Sequence, residues 1–395
     1  MCAVCTAAAT CYLWPTVNLL RVAYFLLFSH LAVVIQYLQV HLDALGFSHS
    51  QVGLLMGIFQ ISGVGGALFF GAVADRHGNT KILLILAIAG STLLLVSLSA
   101  RPGLAAAIPI VAATGFLFRS EVPLVDTHAS RLLRNDPSRY GGFRVWGSIG
   151  WVAISLAMQI SGYPRPDIAN SIVVTYLALG TAHLVTAIGL PTGGAAVSRR
   201  ERHSIPVPKV FWVFIPIVVL SNLGFSAHNV FFSLYVKENL PGFLVSGAWA
   251  VGAVAEIPVI LLSRRLIARL GIGRLLVLAA AGTSVRMTIY ALFPQTAPVL
   301  AAQLLHALTF GALHVAAMSF ITRALPPESQ GRAVALYNAF GFGVTGLLGG
   351  LIGGQLLEMS GFAVLFGAAA IPPAVAALVG IMARKRIEAA VSLHR

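Results

Sequence analysis

The stretch 71-GAVADRHGNTK-81 decides the fold. It is short, basic and turn-forming, and it joins two apolar runs at roughly 50–74 and 81–99. Runs of about 20 apolar residues cross a hydrocarbon core of about 30 Å as helices, so this stretch reads as the turn of a membrane hairpin. The pattern returns as 267-IARLGIGR-274, where Arg269, Gly271 and Arg274 repeat Arg76, Gly78 and Lys81 at a constant offset of 193 residues. A repeat of that period predicts two similar helix bundles.

Composition agrees. With 58% hydrophobic residues, 10% charged residues and a mean hydropathy of +0.88, the chain has more apolar surface than a water-soluble domain of its size can bury. Twelve apolar runs are read, at roughly 15–41, 50–74, 81–99, 103–133, 143–162, 169–190, 208–236, 243–268, 273–293, 298–323, 332–357 and 362–383. The expected fold is therefore all-α and integral to the membrane, with twelve transmembrane helices in two pseudo-symmetric six-helix bundles. The longest polar break, 191-PTGGAAVSRRERHSIPVPK-209, divides the runs six and six. It predicts a first bundle at 1–190, a cytoplasmic linker at 191–207 and a second bundle at 208–395 with a short cytoplasmic tail.

The net charge of +14 is explained by orientation. With both termini cytoplasmic, 20 of the 26 Lys and Arg fall in inner loops and the tail, and 3 (Arg101, Arg165 and Lys237) fall in outer loops. That is the positive-inside pattern of a bacterial-type inner membrane protein, so the basicity calls for no nucleic-acid partner. Cys2, Cys5 and Cys11 crowd the first eleven residues, where no packed scaffold fixes a disulfide or metal, and they are read as incidental. No cofactor is expected. The amino terminus lacks the basic lead and cleavage site of a removable signal peptide.

A charge inside hydrocarbon must face a cavity or a partner, which makes each one a candidate for function. Depth follows from counting along helices. Glu256 and Arg286 each lie fifteen residues from Gly271 in one turn, and Arg286 and His306 each lie ten from Thr296 in the opposite turn, so these three share a depth. Asp126 and Arg144 each lie nine residues from Asn135 and can meet across their hairpin. Arg144, Ser148, Trp151 and Ser155 recur at helical spacing on one face: a cation, two hydroxyls and an indole suited to orient and stack on a polar ligand. His314 stands two turns beyond His306. Arg119 and Glu121, two residues apart, point to nearly opposite sides of their helix; Glu121 reads either as a second proton site or as half of an ion pair with Arg21 or Arg119. The aromatics Tyr24, Phe25, Phe28, Phe231, Phe232 and Tyr235 read either as pocket lining or as packing.

The opening stretch resembles the conserved loop of the major facilitator superfamily at Gly71, Asp75, Arg76, Gly78 and Lys81. In physical terms Gly71 would let helices approach, Asp75 would interact with a helix N-terminus, and Arg76 with Lys81 would anchor the turn. More narrowly, 122-VPLVD-126, 140-YGGFRVWGSIG-150, 254-VAEI-257, 285-VR-286, 304-LLHALTF-310 and 314-HVAAM-318 resemble the 3-phenylpropionic acid transporter branch, near the lactose permease type of proton symporter. The shared helical face offers Ser148, and that resemblance implies substrate contacts from Asp126, Arg144 and Trp151, with His306 and His314 at matching positions. It also implies proton coupling through Glu256, Arg286 and His306, with Glu121 as a further candidate. One departure stands out: Thr309 occupies the place of a protonated carboxylate, which moves any coupling to Glu256 or to the Glu256–His306 pair.

The resulting expectation is a monomeric secondary transporter in the lipid bilayer, carrying a small organic solute with a proton by alternating access. An aromatic or other carboxylate is favoured, since Arg144 and Arg286 can pair with an anion. A sugar or nucleoside symporter and a proton-driven exporter are the alternatives. No nucleotide-binding loop and no HExxH or nucleophile–base constellation is present, so neither ATP-driven transport nor an enzyme is expected.

Overall fold

The computed structural model describes the backbone of residues 3–133, 137–192 and 205–392, and the side chains of these except 3–17, 77, 137–139 and 141. Cys2, Cys5 and Cys11, the turn at Asn135 and most of the linker lie outside the described side chains.

Among the described residues the regular structure is helical throughout. In chain order the long helices are α1 (Ala3–Ala44), α2 (His49–His77), α3 (Thr80–Ser97), α4 (Leu104–Leu132), α5 (Pro137–Ser161), α6 (Ala169–Gly189), α7 (Lys209–Asn239), α8 (Val245–Leu261), α9 (Ile272–Leu292) and α10 (Thr296–Ala324), with a short helix Ser263–Leu270 between α8 and α9. A continuous apolar stretch of 66 residues, Pro327–Ser392, completes the chain. At 1.5 Å per residue it would extend about 100 Å as a rod, three times the hydrocarbon core. It breaks at Gly361, whose φ of 77° is left-handed and suits a residue without Cβ. The break makes two spans, α11 before it and α12 after it. α11 then packs on α2, whereas Phe362 and Phe366 beyond the break pack against Tyr235 of α7.

The first bundle is held by the packing of α1 on α5 and α6, of α2 on α4, and of α3 on α4 and α6. The second is held by α7, α9, α11 and α12 around a core that includes Phe214 stacked on Phe320 at 4.3 Å. In a bilayer, helices gain little from apolar burial against one another, so close backbone approach and polar contacts carry the packing.

The two bundles meet at one end. Lys237 Nζ lies 2.6 Å from Asp43, His49 Nε2 lies 3.0 Å from Glu238, and Tyr37 Oη lies 2.7 Å from Ser246. There too the Gly247 amide donates to Gln159 at 2.8 Å and the Ser50 amide to Glu358 at 3.2 Å. At the opposite, arginine-rich end, the second half of α4, Glu121–Leu132, packs on α1, α2, α3 and α5, while the first turns of α11 pack on α7 and α10. Between the bundles, which are joined at the sparsely charged end, lies a cleft whose described cavity is lined by Gln60 of α2, Asn222, Phe225 and Asn229 of α7, and Phe342 and Thr345 of α11.

The duplicated turns are built differently. In the first, Gly78 takes φ 72° and caps α2, and Arg131 donates to the carbonyls of Gly78 and Ala74 at 2.7 and 2.9 Å. In the second, Gly271 has φ 78°, and Glu388 of α12 accepts from the Gly273 amide at 2.8 Å at the start of α9. A carboxylate at a helix N-terminus satisfies an orphan donor and complements the dipole. Gly71 corrects the expectation of close packing: a Cβ there would meet nothing within 4 Å. Arg76 is exposed and Lys81 half-exposed at the turn.

Candidate functional site

Each bundle contributes one cation–carboxylate pair to the cleft. On the first side, Arg144 Nε of α5 stands 3.8 Å from Asp126 Oδ1 of α4, and the Tyr24 hydroxyl of α1 donates to the same carboxylate at 2.8 Å. The Arg144 guanidinium lies over the Phe28 ring, 4.3 Å from its centroid, a cation–π contact that orients the planar group. Both charged side chains remain about one third exposed, and Tyr140 of α5 also hydrogen-bonds to Asp126.

On the second side a relay runs across three helices. Arg286 of α9 is fully buried. Its Nε donates to Tyr290 at 2.8 Å, its Nη1 to His306 Nδ1 at 2.9 Å and to Thr309 at 3.1 Å, and its Nη2 to Gln303 and to His228 at 3.2 Å. An arginine only donates. His306 Nδ1 therefore accepts, its ring proton sits on Nε2, and that nitrogen donates to Glu256 Oε1 of α8 at 2.8 Å. The positive charge of Arg286 is thus balanced by Glu256 through one imidazole. Immediately after His306 the helix widens into a π turn at Ala307–Ala312, a feature that often re-aims side chains at functional sites. Thr309, on that turn, accepts from Arg286 as a neutral group.

The depth count thus corresponds to a contact among Glu256, Arg286 and His306, and the hairpin count to one between Asp126 and Arg144. His314 is placed differently from His306: its ring stacks on Phe310 and its Nδ1 lies 3.1 Å from the Tyr337 hydroxyl. Trp151 meets Trp249 of the other bundle at 6.5 Å near the closed end. Ser148 is exposed one turn from Arg144. Ser155 departs from the expected face, since it is buried and accepts from Gln36 of α1 at 2.8 Å.

Glu121 corrects the ion-pair reading. It is buried inside the first bundle, accepts from Ser91 at 2.7 Å, and has the imidazoles of His30 and His183 as its ion-pair neighbours, away from the relay. Arg119 turns the other way and donates to Gln60. Of the aromatics, Tyr24 and Phe28 border the first pair, whereas Phe232 and Tyr235 pack with Trp249, Tyr290 and Phe366. Sequence reasoning missed His228, Gln303 and Tyr290. His228 lies eleven residues before the end of α7, close to the depth of His306, so the same counting applied to it would have found it.

This architecture has known counterparts. Residues 17–368 match the model of the MFS_1 like family. The chain belongs to that family, and with it to the major facilitator superfamily. Its members' chains are transporters, not enzymes. The maltose permease of Geobacillus stearothermophilus is 27% identical over 346 residues, 85% of this chain and 86% of that one. The protein named "Probable 3-phenylpropionic acid transporter" of Escherichia coli K12 is 25% identical over 82% of this chain and 86% of its own. Among solved structures, that of the nucleoside transporter NupG superposes with a TM-score of 0.79 at 18% identity, covering 93% of this chain and 98% of that one, a likeness of fold alone. The protein is a multi-pass secondary transporter of this superfamily.

Proposed function

We propose that the protein is a proton-coupled symporter of a small organic carboxylate, working by alternating access as a monomer in a bacterial-type inner membrane. The observation that carries this reading is the Arg286–His306–Glu256 relay. With Arg144 paired to Asp126 and Arg286 balanced by Glu256, the two halves of the cleft are electrically neutral together. One proton on Glu256 removes its charge and leaves the cleft at +1, a state that favours a monoanion. Release of the anion restores the relay and expels the proton. A neutral solute gains nothing from that proton, so charge balance supports the carboxylate over the sugar, and the phenylpropionate relative supports the same choice.

The positive-inside distribution assigns the closed end to the outside, which makes the conformation inward-open. Asp126, Arg144 and Trp151 keep a second reading alive, because a carboxylate, a guanidinium and an indole also suit a sugar, as the maltose permease relative suggests. Proteoliposomes with an inside-alkaline pH gradient separate the two. Accumulation of 3-phenylpropionate or a related monocarboxylate, abolished by a protonophore, is the expected result. Accumulation of maltose but of no carboxylate would overturn the proposal.

A further inference from the structure

Thirteen of the buried polar side-chain atoms without a hydrogen-bond partner lie in the first bundle, and five belong to one cluster: both ring nitrogens of His30, both of His183, and Oε2 of Glu121. The three residues come from α1, α6 and α4 and all have zero solvent exposure. His183 Nδ1 lies 3.6 Å and His30 Nδ1 4.0 Å from Glu121 Oε2, and one ligand atom of each lies within 4.8 Å of the others. Among the described residues no arginine or lysine pairs with Glu121. Its other oxygen is fixed by the Ser91 hydroxyl of α3.

We propose that His30, Glu121 and His183 bind one divalent transition-metal ion of the Zn²⁺ class, sealed inside the first bundle and separate from the transport cleft. A lone carboxylate in the membrane interior lacks the positive charge that would stabilise it, and two neutral imidazoles do not supply it. A divalent ion does, and it gives one unpartnered atom of each of the three residues a ligand role. An ion held at about 2.0–2.1 Å in tetrahedral geometry brings its ligands to about 3.4 Å apart. His183 and Glu121 already stand near that separation at 3.6 Å, and on binding the His30 ring would move in from 4.0 Å. Two imidazoles and one carboxylate match Zn²⁺, Co²⁺ or Ni²⁺ rather than Mg²⁺ or Ca²⁺, which require oxygen ligands. Ser91 holds the carboxylate as outer-shell donors hold metal-bound carboxylates. The ion would tie α1, α4 and α6 together, keeping this bundle rigid while it rocks against the other.

The test uses full-length protein with a tag free of histidine. The background carries C2S, C5S, C11S and H49A, so that neither the cysteines nor the Asp43–His49–Glu238 cluster at the bundle interface contributes. Elemental analysis of the purified protein should find about one ion per chain, and Co²⁺ loading should give tetrahedral visible absorption bands. Glu121→Gln and His183→Asn should lose both. Where a variant folds poorly, the parent protein answers by itself: chelator should lower its thermal midpoint and Zn²⁺ should restore it. A parent protein that is metal-free and shows no uptake or thermal response to Zn²⁺, Co²⁺ or Ni²⁺ would overturn the proposal and leave the triad as a buried proton carrier. Unchanged metal content in both variants would overturn it equally.

Discussion

Gly53 of α2 and Gly350 of α11 meet backbone to backbone across the two bundles: a Cβ on Gly53 would stand 2.2 Å from the Gly350 carbonyl oxygen, and one on Gly350 2.3 Å from that of Gly53. No side chain fits there without parting the helices. This contact sits at the closed end, one turn along α2 from His49, which pairs with Glu238.

Gly350→Val should therefore hold the closed end apart and favour the opposite conformation. Spin labels at Ser99 and Gln295, one on each bundle at that end, should show a longer distance distribution in the variant than in the parent. An unchanged distribution would show that this crossing does not govern closure.

Arg144 lies over Phe28 and beside Asp126, a geometry that needs a flat guanidinium. Arg144→Ala should weaken substrate binding by about 10- to 100-fold, the worth of a charge-assisted hydrogen bond. Arg144→Lys should not restore it, since an ammonium is a point charge without the planar fork. Trp151→Tyr should keep partial affinity by retaining a ring. Wild-type binding by the lysine variant, read by equilibrium binding of labelled substrate, would remove Arg144 as a bidentate ligand.

Glu256 is the carboxylate that balances Arg286 through His306. Glu256→Gln should mimic the protonated state: it should still bind substrate and exchange it with substrate on both sides. It should fail to accumulate substrate against a gradient when a proton gradient is applied. Normal accumulation would place coupling elsewhere, with Asp126 the next cleft carboxylate to test.

Orientation is open to a direct check. Cysteines placed at the exposed Ser392 and Gln295 should be labelled by an impermeant maleimide from opposite sides in cells, Gln295 from outside and Ser392 only after the membrane is opened. Reversal would invert the assignment of the closed end and make the conformation outward-open.

The number and course of the helices were legible in the sequence because spanning depends on local properties: the length of an apolar run and the charge of the loops beside it. Depth was legible for the same reason, since each helical residue rises a fixed distance. Counting from Gly271 and Thr296 therefore put Glu256, Arg286 and His306 together. Rotation about each helix axis was not legible. A helix apolar on all sides carries no stripe to show which face looks inward. Ser155 shares a helical face with Arg144 yet bonds to Gln36, and Glu121 turned to meet His30 and His183 from two distant helices. The crossing of Gly53 with Gly350 belongs to the same class, because it depends on which backbones approach in space, whereas the break at Gly361 falls in the gap already read between the runs 332–357 and 362–383. Sequence determined what spans the membrane and at what depth its charges sit; tertiary packing decided which of them touch, because only the assembled bundle fixes the rotation of each helix.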